Sequence, residues 1–148
     1  MSYVLTAVFG RRDIVDDLTH PSLGRPIAVG TGFALRPIVE LDDPYADSFD
    51  PMDLDVADDV LGPLLLDASE LGPMAYVHIE MFGGPPDEAV AVWRDGELVW
   101  RASGHALDER LSREAFRMIG VEAAPGLDEF DTLGLGRHRD TESWLEEM

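Results

Sequence analysis

The sequence predicts a single α+β domain over residues 1–148, built as a mainly antiparallel sheet with helices packed on one face. Three observations carry this. A chain of 148 residues suits one hydrophobic core, and at this size roughly two-thirds of the unfolded surface can be buried without disulfides or a structural metal. Apolar runs of strand length alternate with period two, most clearly over Met74–Phe82. Between two such runs, at about residues 88–101, stands Asp95-Gly96, the pair that a two-residue β-hairpin turn favours.

The elements follow in order. Residues 3–9 are β-branched and aromatic and stop at Gly10, which predicts a first strand. Ile14, Val15 and Leu18 suit a helical turn, and Pro21 and Gly24 then mark a loop. Residues 27–38 alternate small and apolar side chains; Gly30 and Gly32 leave one face of this expected strand bare and invite a bulge. Residues 40–59 are the most biased segment, with Asp or Glu at 40, 42, 43, 47, 50, 53, 55, 58 and 59 and no basic residue among them. Pro44 and Pro51 break regular structure, so an exposed loop should run into a helix whose acidic first turn suits the helix dipole. Val56, Val60, Leu61, Leu64 and Leu65 fall at helical spacing, and Gly62-Pro63 should kink or restart that helix.

In Met74–Phe82, Ala75, Val77, Ile79 and Met81 share one face, and Tyr76, His78, Glu80 and Phe82 the other. Gly83-Gly84-Pro85-Pro86 reads as a turn or loop, and the hairpin follows with both central residues at positive φ. Asp108 is the expected N-cap of a helix through Ile119, with Leu111, Ala115, Met118 and Ile119 as its apolar stripe and Gly120 as its C-cap. Residues 127–135 carry a short helical pattern, and Thr141 opens a last helix anchored by Trp144.

Thirty acidic residues face eleven basic ones, a net charge of −19 with histidines neutral. All the basic residues are Arg; Lys, Asn and Gln are absent. Such a field repels nucleic acid and anionic membrane and speeds encounter with a basic partner. Codon bias in a GC-rich genome, or a halophile's preference for acidic surfaces with little lysine, gives the same composition. The absence of cysteine excludes a disulfide framework, a thiolate zinc site and a cysteine nucleophile. No stretch approaches the roughly 20 apolar residues of a membrane span. The N-terminal run reads as a strand rather than a signal peptide, so a cytoplasmic location is expected.

His78-Ile79-Glu80 sets an imidazole and a carboxylate on one strand face, which fits either two ligands of a metal site or an ordinary hydrogen-bonded pair. The zinc deaminases use a similar His-x-Glu but need a Pro-Cys-x-x-Cys half that is absent here. Asp53, Asp55, Asp58 and Asp59 lack the central glycine and twelfth-position Glu of a calcium loop. Phe82-Gly83-Gly84-Pro85 lacks the Lys-Ser/Thr of a phosphate loop. The cluster from Gly134 to Arg139, with Arg137, His138 and Arg139, has donors to grip a carboxylate or phosphate, and equally the charge to neutralise Asp128, Glu129, Asp131 and Asp140. No nucleophile elbow stands in the chain. Trp93, Trp100 and Trp144 are expected in the core, and neither a cofactor nor a metal is expected.

Three stretches carry a resemblance: Ala75-Tyr-Val-His-Ile-Glu-Met-Phe-Gly-Gly84, Ala89-Val-Ala-Val-Trp-Arg-Asp-Gly96, and Asp128-Glu-Phe-Asp-Thr-Leu-Gly-Leu-Gly-Arg-His-Arg139 followed by Thr141-Glu-Ser-Trp144. Together they are similar to small acidic proteins of GC-rich bacteria, some of them predicted immunity proteins of toxin systems. Residues 82–88 depart from that pattern. The resemblance covers the second half of the chain and carries over no catalytic residue.

The expected function is a non-enzymatic acidic binding protein, of the immunity or antitoxin type, that covers a basic surface of a partner such as a toxin domain. A nuclease toxin's site is basic because it holds phosphate, and carboxylates can occupy that surface. Asp42, Asp43, Asp47, Asp50, Asp53 and Asp55 are the expected contacts, with Tyr45 and Phe49 as anchors. Two alternatives stay open: a small enzyme or a ligand- or metal-binding domain with a pocket near His78 and Glu80, and a structural subunit that oligomerises through the hairpin edge.

Overall fold

A computed structural model describes residues 2–38, 52–82, 85–105 and 110–146. Six strands form one antiparallel sheet: β1 (Ser2–Arg11), β2 (Ile27–Val29), β3 (Phe33–Pro37), β4 (Met74–Phe82), β5 (Asp87–Arg94) and β6 (Glu97–His105). Their order across the sheet is β2-β3-β1-β4-β5-β6. The helices are α1 (Arg12–Val15), α2 (Leu54–Ala68), α3 (Leu111–Met118), α4 (Glu129–Thr132) and α5 (Thr141–Glu146), with a 3₁₀ turn at Leu135–Arg137. The class is the α+β expected from the sequence. No helix among the described residues is long and apolar enough to cross a membrane.

Strand alternation divides the core into two apolar layers. Leu5, Ala7 and Phe9 of β1, Ala75, Val77 and Ile79 of β4, and Val90 and Val92 of β5 pack with α3, Leu133, Leu135 and Trp144. Val8, Met74, Tyr76, Ala89, Ala91 and Trp93 point the other way, onto α1 and α2. Helices therefore cover both faces, which corrects the expectation of one. The reason lies in β4 and β5, whose residues 74–77 and 89–93 are apolar or aromatic without a break. A run of that kind needs cover on both sides.

Residues 27–38 form two strands rather than one. Gly30 (φ +57) and Gly32 (φ +86) adopt the left-handed backbone that reverses the chain, so Ile27 pairs with Leu35 and Val29 with Phe33. The α2 helix runs continuously through Pro63, so it does not restart at Gly62-Pro63. Its buried stripe of Leu54, Ala57, Leu61, Leu65 and Ala68 faces the sheet, while Pro63 is exposed. Packing of that stripe outweighs one missing ladder bond.

The hairpin forms as the Asp-Gly pair predicts, with Asp95 at φ 53 and Gly96 at φ 75. Its turn is tied to the end of α2: Asp95 N–H donates to the Ser69 carbonyl at 3.0 Å, and Gly96 N–H to the Ser69 hydroxyl at 2.9 Å.

The C-terminal segment completes β1. Strand β3 pairs only with Ala7–Arg11 of it. Beyond that, Val4 N–H donates to the Arg139 carbonyl at 2.8 Å, and Thr6 N–H to the Thr141 hydroxyl at 3.0 Å. Asp140, rather than Thr141, caps α5 by accepting from Ser143 N–H at 2.7 Å. Trp144 is fully buried beneath it, as expected of an anchor. Gly120, at φ +102, follows α3; the expected cap Asp108 lies outside the described residues.

Candidate functional site

Of the residues expected to bind a partner, Asp42, Asp43, Tyr45, Asp47, Phe49 and Asp50 lie outside the described residues. Asp53 and Asp55 are described, and both are exposed at the start of α2. Asp53 caps the helix, its Oδ1 accepting from Asp55 N–H at 3.1 Å. Asp55 meets Arg101 of β6 at 2.9 Å, with both side chains well exposed. Such a pair contributes little to stability. Asp59, Asp67 and Glu70 continue the acidic surface along the helix and just past its end. Residues 37–93 contain 14 of the chain's 30 acids and none of its 11 arginines.

The layer on the opposite face carries its own arginines. Residues 110–139 hold five arginines and five acids. Glu129, only 6% exposed, accepts from Arg117 Nε at 2.8 Å and faces Arg113 Nε at 3.5 Å. Arg117 also meets Glu114 at 2.9 Å. The hydrogen bond from Arg117 holds the Glu129 carboxyl below the usual carboxylate range, against the opposing effect of desolvation. Carried on through α5, whose Trp144 packs in the same layer, the count over residues 110–146 is five arginines to eight acids, so this layer is acidic too, but far less one-sidedly than residues 37–93.

The second expected site is a closed hydrogen-bond chain. Pairing of β1 with β4 sets Thr6 opposite His78, and alternation puts Glu80 on the same face. Thr6 Oγ1 lies 2.8 Å from His78 Nδ1, and His78 Nε2 lies 2.8 Å from Glu80 Oε2. The His78 side chain is 1% exposed, that of Glu80 32%. A neutral ring protonated on Nε2 satisfies every member: Nε2–H donates to the carboxylate, and the Thr6 hydroxyl donates to Nδ1. With both ring nitrogens engaged, the arrangement ties β1 to β4 and offers neither nitrogen to a substrate. Among the described residues no group of three or more His, Asp or Glu could hold a metal ion.

Two features escape sequence reasoning. Glu88 of β5 is fully buried; its Oε2 accepts from the Ser112 hydroxyl and lies 3.7 Å from Arg110, while Oε1 has no hydrogen-bond partner among the described residues. Arg110 also stacks on the Phe130 ring at 5.1 Å. Parity was the available signal, since Glu88 shares a face with Val90 and Val92. The second feature is a cleft of about 600 Å³ between residues 28–30 and residues 131–137. A smaller cleft of about 330 Å³ shares Gly30, Thr132 and Leu133 with it and reaches Gly120.

Arg137 lines the larger cleft with its guanidinium 4.9 Å from the Trp144 ring, and His138 meets the same ring edge-on at 4.8 Å. This part of the Gly134–Arg139 cluster therefore packs on Trp144. Comparison with protein-family models, with curated proteins and with solved structures finds no match for this chain.

Proposed function

We propose that the chain is a non-enzymatic binding protein of the immunity type, whose acidic layer covers a basic surface on a partner protein. The observation that carries this reading is the charge asymmetry between the two helical layers. Residues 37–93, which include α2, hold 14 acids and no arginine, whereas residues 110–146 hold eight acids and five arginines. Composition bias from a genome or a saline habitat would load both layers alike. Asp53 and Asp55 stand at the helix end nearest in sequence to Asp42, Asp43, Tyr45, Asp47, Phe49 and Asp50, so the proposed surface runs from that segment onto α2. A partner such as a toxin domain would be met through long-range attraction first and close contacts second.

The test is a calorimetric titration against the product of the reading frame immediately upstream. Tight binding that weakens steeply with salt is expected, and changing Asp53, Asp55, Asp58 and Asp59 together to Asn should weaken it by at least about tenfold. Undiminished affinity in that variant would overturn the reading.

A further inference from the structure

Strand β6 ends the sheet among the described residues, and it is a long edge: Glu97–His105, nine residues without proline or lysine. An edge strand presents a row of unpaired N–H and C=O groups on its outer side, and proteins usually blunt such a row with charge, proline or shortness. Here Glu97, Leu98, Val99, Arg101 and Ser103 are exposed, Leu98 by 38% and Val99 by 43%. The register shift near Val92/Trp93 is confined to the turn end. From Trp100 to Ser103 the strand pairs with β5 in unbroken register, and Gly104, at φ +142, departs from regular strand backbone only near the far end.

The α2 helix runs beside this edge in the opposite direction. Its start meets the strand through Asp55 and Arg101, and its end holds the hairpin turn through Ser69. Positions 55, 59, 62 and 66 recur along one stripe of a helix. The stripe that touches Arg101 therefore brings Leu66, 39% exposed, toward the turn end of β6. Leu98 sits opposite Trp93, which packs on the α2 side of the sheet, so Leu98 stands on that same side. Asp59, Asp67 and Glu70 of α2 and its end, and Glu97 of β6, are exposed, and Arg101 is paired with Asp55.

We propose that β6 accepts an extended, cationic segment of the partner protein as an added strand. This rests on the acidic-layer reading and adds to it the place and shape of the contact. The backbone edge supplies hydrogen bonds whatever the side chains, the apolar strip takes alternate residues, and the carboxylates select a basic segment over an acidic one. A second copy of this chain is a poor occupant, because two molecules of charge −19 repel each other.

The probe is a peptide of about nine alternating valine and lysine residues, added to the full chain at low salt and followed by amide chemical shifts and hydrogen exchange. Binding should slow exchange of alternate β6 amides by about tenfold or more. N-methylating every second peptide residue should weaken it about tenfold in one of the two phases. Changing Leu98 and Val99 together to Lys, both at exposed positions, should also weaken it about tenfold. Peptide-induced shifts in α2 with exchange in β6 unchanged would overturn strand addition and leave the acidic-layer reading standing. Absence of any binding would overturn strand addition, while the acidic-layer reading stands or falls on the calorimetric titration. Slowed β6 exchange that grows with protein concentration, without peptide, would make a second copy the occupant and overturn the proposal.

Discussion

Glu88 and Glu129 are both buried carboxylates on the α3 side of the sheet, but only Glu129 has a guanidinium at hydrogen-bonding distance in Arg117. Its carboxyl is held low in the folded chain. Ionised Glu129 therefore stabilises the fold above the unfolded value of about 4.3, and this contribution disappears as pH falls through the lowered folded value. Glu129→Gln should cost about 1 kcal/mol at neutral pH, modest because Arg117 is half exposed. The gap between variant and parent should close between about pH 5 and pH 3. Urea denaturation at stepped pH measures it, and a gap of constant size would refute the assignment. None of this was legible in the sequence. The sequence offers Arg137, His138 and Arg139 as the charges to neutralise Glu129, whereas its partners are Arg117 and Arg113, which reach it only after the chain has turned back. Trp144, a lone aromatic in an acidic helix, was legible because burial is the main use for an indole at such a place.

At the scale of elements, local chemistry was readable and pairing was not. Asp95-Gly96 specifies its own turn, because both residues tolerate positive φ. Gly30 and Gly32 are compatible with a bulge in one strand or a reversal between two; only the pairing of β2 with β3 decides, and that depends on which strand the chain meets next. Helix α2 shows the same limit. The start was legible from its acidic first turn, where Asp55 stands, but the Gly62-Pro63 pair argued for a break that the buried stripe overrides. If packing holds the helix straight, Pro63 is a defect in it, with no N–H for the Asp59 carbonyl. Pro63→Ala should then stabilise the chain by about 1 kcal/mol, the restored ladder bond being partly offset by a freer unfolded state. A thermal midpoint about 3 °C higher is the readout, and an unchanged or lower midpoint would mean that the proline relieves strain instead.

Across the whole molecule, the two helical layers should respond to salt in opposite senses. Screening weakens the Glu129–Arg117 and Glu114–Arg117 pairs on the α3 side, and it relieves repulsion among the carboxylates that line α2. Exposed pairs contribute little apiece, whereas acids exceed arginines by 19 over the chain, so relief should win. The thermal midpoint should rise by several degrees between about 0.01 M and about 0.5 M sodium chloride. Changing Asp59 and Asp67 together to Asn should raise the low-salt midpoint and flatten that dependence, because both are exposed acids of α2 that add to its repulsion. A surface that costs stability in the free protein and is relieved by neutralisation is what a docking face for a cation requires, since the partner's charge then removes the same repulsion. A midpoint that falls with salt, or a double variant that is less stable at low salt, would show that the α2 acids are already compensated within the fold, and the docking reading would lose its driving force.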